Sequence, residues 1–105
     1  MEYIGGNIGE YIGENNILEI INDNLKNTYP NAKLKNVYNI PYQYSIVYYV
    51  NNIDEHYSHN MFYMQPEYIQ NDIKNIIINI VRLYFDKEVI FDIDSDNNEI
   101  FTIIL

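Results

Sequence analysis

The segment Asp92-Ile93-Asp94-Ser95-Asp96-Asn97-Asn98-Glu99 sets carboxylates at alternate positions, the opening of a loop that could wrap a hard cation in oxygen ligands. Two requirements of a calcium loop are missing. The sixth position is Asn97 where Gly belongs, although Asn tolerates the left-handed conformation. The twelfth is Ile103, which cannot supply the closing bidentate carboxylate. A hairpin turn, in which Asp, Ser and Asn bond their own backbone, is the stronger reading, and neither a metal nor any other cofactor is expected. A second cluster, Asp54, Glu55, His56 and His59, has zinc-type donors, but two His three apart on a strand point to opposite faces. Nucleophilic catalysis has little material: Ser45, Ser58 and Ser95 are the only serines, none sits in a Gly-x-Ser-x-Gly elbow, and there is no Cys. A single Arg offers no clamp for an anionic substrate. The expectation is a chain that is not an enzyme.

Charge narrows the partners. Fifteen Asp and Glu against six Lys and Arg leave a formal net charge of −9 over 105 residues. Gripping phosphates requires cations that displace counterions, so no direct nucleic-acid binding is expected, and an anionic membrane surface is disfavoured on the same ground. No run approaches the ~20 apolar residues that span a bilayer. Met1-Glu2-Tyr3-Ile4-Gly5-Gly6 lacks the basic and apolar regions of a signal peptide, which points to the cytoplasm.

The acids are concentrated. Asp86, Glu88, Asp92, Asp94, Asp96 and Glu99 are opposed within 86–99 only by Lys87. On one hairpin they would form an acidic edge that steers a basic partner, or simply a solvated rim. The twelve Tyr add a second clue. Tyr38, Tyr42, Tyr44 and Tyr48 share one strand parity and Tyr49, Tyr57 and Tyr63 the other, so one set can pack under helices and leave the other exposed. Exposed Tyr suits protein interfaces, since it buries a large area and keeps a polar tip.

Positioning these groups falls to a short list of elements. All four Gly lie in residues 1–13, so residues 1–14 read as a Gly-rich arm or edge segment and residues 15–105 as one domain. Asn15 or Asn16 can cap a helix over about 15–28, with Ile17, Leu18, Ile21 and Leu25 near a 3.6 period and Pro30 beyond its end. Residues 32–64 read as a three-stranded antiparallel meander: 33–40, 42–50 and His56 to Met64. Pro66 and Glu67 open a second helix, whose stripe is Ile69, Ile73, Ile76, Ile77, Ile80 and Tyr84. Val89–Ile93 and Ile100–Leu105 flank a turn and close a terminal hairpin. The order α-β-β-β-α-β-β gives an α+β fold, two helices packed on an antiparallel sheet.

Over residues 15–85 the order α-β-β-β-α resembles, in topology, the double-stranded-RNA-binding domain. Glu67 and Asp72 stand where that family opens its second helix with bases, so its function does not carry over. With two further strands and the acidity, the order is also similar to small type III secretion chaperones, again at the level of fold alone. In size, charge and lack of Cys the chain is similar to phage anti-defence and toxin-immunity proteins. The resulting expectation is an inhibitory protein-binding module whose partner is a basic protein, itself a nucleic-acid binder. Its binding residues would be the six acids of 86–99 with Tyr49, Tyr57 and Tyr63. The competing expectation is a structural or chaperone-like homodimer joined through Tyr-rich strands.

Overall fold

The computed structural model describes residues 14–36, 39–50 and 60–105. Residues 1–13 of the Gly-rich arm, Tyr38, Tyr57 and the cluster Asp54, Glu55, His56 and His59 lie outside the described residues, while Glu14, expected in the arm, opens the first helix. Helix α1 (Glu14–Thr28) is followed by strands β1 (Ala32–Asn36) and β2 (Gln43–Tyr48), a 3-10 turn (Phe62–Met64), helix α2 (Glu67–Phe85), and strands β3 (Glu88–Ile93) and β4 (Glu99–Ile104). The four strands form one antiparallel sheet in the order β1-β2-β4-β3. This is the expected α+β class, with two helices on an antiparallel sheet.

Both helices follow their sequence signals. Ile17, Ile21 and Leu25 recur every four residues and are buried on α1. On α2 the deepest line is Ile73, Ile77, Val81 and Phe85, with Ile69, Ile76 and Ile80 half-buried beside it. Tyr84, expected on that stripe, is exposed, because the buried line advances by four and carries Phe85 rather than Tyr84 inward. Pro66 stands at the α2 N-cap, and Asp86 ends the helix in the left-handed conformation (φ 53°), its N–H donating to the Arg82 carbonyl at 3.1 Å.

Strand parity decides the core. Ala32 and Leu34, Tyr44 and Ile46, Phe101 and Ile103 face the helices and are buried, with Val89 and Phe91 packed alongside. The register sets Phe91 opposite Phe101 and Phe101 opposite Tyr44. Their ring centroids lie 5.9 Å and 5.3 Å apart in tilted pairs, aromatic contacts that bind three strands into one layer.

The sheet departs from a sequential meander. β2 takes β4 as its second neighbour, through Gln43–Thr102 and Ser45–Ile100, while the described part of the expected third strand folds as the 3-10 turn. Asn60 explains why. Its amide donates to the Ile46 carbonyl (3.1 Å), and its Oδ1 accepts from the N–H groups of Tyr48 and Phe62 (both 3.0 Å). One side chain therefore serves the half of β2 that β4 does not pair, and residues 60–64 need no ladder of their own.

The middle of the edge strand β1 is also served by an Asn. Asn22 of α1 accepts from the Leu34 N–H (2.7 Å) and donates to the Leu34 carbonyl (3.2 Å), standing in for a strand residue beside β1.

Candidate functional site

The six acids of residues 86–99 lie at the end of α2, along β3 and around the β3–β4 turn, but they have different surroundings. Asp86 is exposed at the α2 terminus. Glu88 is held by Arg82: Nε donates to Oε1 and Oε2 (3.0 and 3.1 Å) and Nη2 to Oε1 (2.8 Å). That bidentate hydrogen bonding, more than charge alone, holds the Glu88 carboxyl below its ordinary range and raises the Arg82 guanidinium. Asp92 is exposed on β3, its Oδ1 accepting from the Ile93 N–H at 2.8 Å.

Asp94 organises the turn. Its Oδ1 accepts from the N–H groups of Asp96 and Asn98, both at 2.9 Å, and its backbone carbonyl accepts from Asn97 N–H at 3.0 Å. Asn97 occupies the left-handed region (φ 63°). This is an Asx-type turn, in which the carboxylate bonds local backbone. Among the described residues, no three of His, Asp and Glu converge as a metal-ligand set.

Glu99 points the other way. It shares the inward parity of Phe101, is only 4 % exposed, and forms an ion pair with Lys74 at 2.9 Å. Tyr63 donates its phenol proton to Glu99 Oε1 at 3.2 Å. Burial first, and then the Glu99 charge, push the Tyr63 phenol well above its ordinary value. Lys74 also sits 5.5 Å from the Phe91 ring centroid, a cation–π distance. Glu99 and Tyr63 therefore join the 3-10 turn, α2 and β4 to one another; the outward acidic set is Asp86, Glu88, Asp92, Asp94 and Asp96.

Of the tyrosines expected on one surface, the two described, Tyr49 and Tyr63, are not together. Tyr49 lies past β2 with the ammonium groups of Lys33 and Lys35 at 5.8 and 5.7 Å from its ring centroid. Lys33 and Lys35 alternate with the inward Ala32 and Leu34, which puts this group on the outer face of the sheet, whereas Tyr63 reaches Glu99 on the helix side. Of the other parity, Tyr44 is buried and Tyr42 and Tyr48 pack against the core.

The outer face carries a feature that residue-by-residue reading missed. A cleft of about 340 Å³ is lined by Gln43, Ile90, Asp92, Ile93, Asp94, Ile100 and Thr102. Its signal was present in the hairpin register, where Ile90 faces Thr102 and Asp92 faces Ile100 with one parity. Ile90 and Ile93 remain 57 % and 55 % exposed, so the cleft has apolar walls and a carboxylate at its rim.

Comparison with known protein families, curated proteins and solved structures finds no significant match. No helix among the described residues is long and apolar enough to cross a membrane.

Proposed function

We propose that this chain is a non-enzymatic protein-binding module, an inhibitor that occupies the basic, nucleic-acid-binding surface of a target protein in the cytoplasm. The observation that carries the reading is the outward acidic set. Asp86, Glu88, Asp92, Asp94 and Asp96 follow one another along the end of α2, β3 and the β3–β4 turn, flanked by Arg82 and Lys87 as the nearby bases. A run of carboxylates on a rigid hairpin presents a field like that of a phosphate backbone, which accelerates encounter with a basic groove and disfavours acidic ones. The net charge of −9 acts in the same direction at longer range.

The test is capture of binders from a native host lysate on the immobilised chain, followed by affinity measured across a salt series. A basic, nucleic-acid-binding protein whose affinity falls steeply with salt supports the proposal. Partners that are only neutral or acidic, or an affinity indifferent to salt, refute it.

A homodimer is the second reading, favoured by the exposed apolar side chains of Ile90, Ile93, Ile104 and Leu105 at the hairpin. Sedimentation at micromolar concentration separates the two, since a tight dimer favours this reading and a monomer the first.

A further inference from the structure

Every open sheet has two edges, and an edge left bare is a template for another strand. In this sheet the two edges are treated differently. β1 is covered where Asn22 bonds both the N–H and the carbonyl of Leu34. On β3, among the described residues, the main chain makes one hydrogen bond outside its pairing with β4, the local one from Ile93 N–H to Asp92 Oδ1, while the Glu88 side chain is held by Arg82. We infer that β3 is a docking edge for an extended basic segment of another protein, which adds to the sheet as a further antiparallel or parallel strand. This rests on the proposed binding function and specifies where and in what conformation the partner is held.

Side chains select the occupant. The outer face of β3 reads Glu88, Ile90, Asp92, that is acid, apolar, acid, at strand parity. A strand carrying apolar then basic residues in the same alternation matches Ile90 and Asp92, Glu88 being already held by Arg82, since opposite charges across a strand pair stabilise and like charges destabilise. The cleft beside the edge suits a long basic side chain. Its methylenes can lie on Ile90, Ile93 and Ile100 while its cationic head reaches Asp92 at the rim. A second copy of this chain fits less well. Antiparallel self-pairing centred on Ile90 places Glu88 directly opposite Asp92 at two symmetric positions, with Arg82 already spanning both oxygens of Glu88. Main-chain bonding would then supply affinity and the alternating pockets the selectivity, the division seen generally in strand addition.

The probe is a capped synthetic peptide of about eight residues alternating Lys and Val, long enough to span a typical strand. Amide shifts of the full chain are followed by NMR as peptide is added. The expected result is shifts concentrated at residues 88–93. Methylating every second peptide nitrogen removes donors along one edge without changing charge, and should weaken binding at least about tenfold. Ile90→Lys, on an exposed position, should weaken it similarly, with far-UV circular dichroism confirming that the variant is folded. Shifts lying elsewhere, an unaffected N-methylated peptide, or no binding of the Lys/Val peptide overturns the docking edge. In those cases salt-sensitive capture of a basic protein still supports the broader function. Equal binding of a Glu/Val peptide overturns both. Shifts at 88–93 that depend on protein concentration without peptide overturn the choice of occupant in favour of a second copy.

Discussion

Replacing Lys74 by Met removes the cation opposite a carboxylate that the fold has taken almost wholly out of water. Lys74 Nζ lies 2.9 Å from Glu99, whose side chain is 5 % exposed, while the Lys74 side chain retains 26 % exposure. Breaking a buried pair on one side costs about 3–5 kcal/mol, because the remaining charge is left without compensation. Two features place Lys74→Met at the lower end: solvent already reaches the Lys74 ammonium, and the Tyr63 hydroxyl still donates to Glu99. Met preserves the unbranched stem and keeps a favourable contact with Phe91. The expected loss is therefore about 3 kcal/mol. For a chain of this size that lowers the thermal midpoint by more than about 10 °C. Urea unfolding at neutral pH, followed by circular dichroism, reads the difference, and the slope should be unchanged. The double variant Lys74→Met/Glu99→Leu should return to within about 1 kcal/mol of the parent, since an apolar pair replaces an ionic one without an orphaned charge. If Lys74→Met lies within about 0.5 kcal/mol of the parent, the range of ordinary surface changes, Glu99 is not the buried charge described. A double variant as weak as the single one would refute the reasoning equally.

Three further outcomes follow from the same geometry. Asn60→Ala deletes three hydrogen bonds that serve β2 and the 3-10 turn, and should cost about 2–3 kcal/mol in the same denaturation assay; a loss below about 1 kcal/mol would mean that the side chain is not what supports this half of β2. Asp86→Gly should raise stability by about 0.5–1 kcal/mol, because it relieves a side chain at φ 53° and removes a negative charge from the carbonyl end of α2; a drop in stability would contradict that account. At alkaline pH, Tyr29, whose proton is held first by the hydrogen bond to Asp72 and which is pushed up to about 12, and Tyr63 both keep their protons more tightly folded than unfolded. Their contribution is complete below about pH 10 and lost as pH rises through the folded values, so stability should fall above pH 10, and less steeply in Tyr29→Phe/Tyr63→Phe; equal slopes would exclude them as the cause.

Much of this architecture was legible because it depends on local patterns. The helix at 67–85 follows from Pro66, Glu67 and the Ile spacing, and the terminal hairpin from two apolar runs around Asp94–Asn98. Asp94 itself read correctly as a turn former. What the sequence concealed was which strands would be neighbours and where polar side chains would be spent. A run such as residues 60–64 has strand-like composition, but Asn60 satisfies β2 from the side and Met61 bonds the Tyr48 carbonyl, after which the chain is free to turn. Glu99 looked like one acid among six. Only its position in register with Ile93, one pleat from the buried Phe101, turns it inward to Lys74, and that partner lies on a helix whose facing could not be read from charge. The cleft likewise required the β3–β4 register and the unforeseen placement of Gln43 beside Thr102.

The strand order has a consequence for how the chain acquires its structure. β4 lies between β2 and β3, although every other described element precedes it in sequence. Until that stretch is available, β2 has only β1 to pair with, and the Tyr44 ring has no Phe101 to meet. A nascent chain would thus carry α1, a single hairpin and an uncovered α2 until β4 has been made. Contacts joining distant parts of a chain form slowly, because loop entropy is paid before they are made. Consolidation of this sheet should therefore be a late, concerted event that waits for β4.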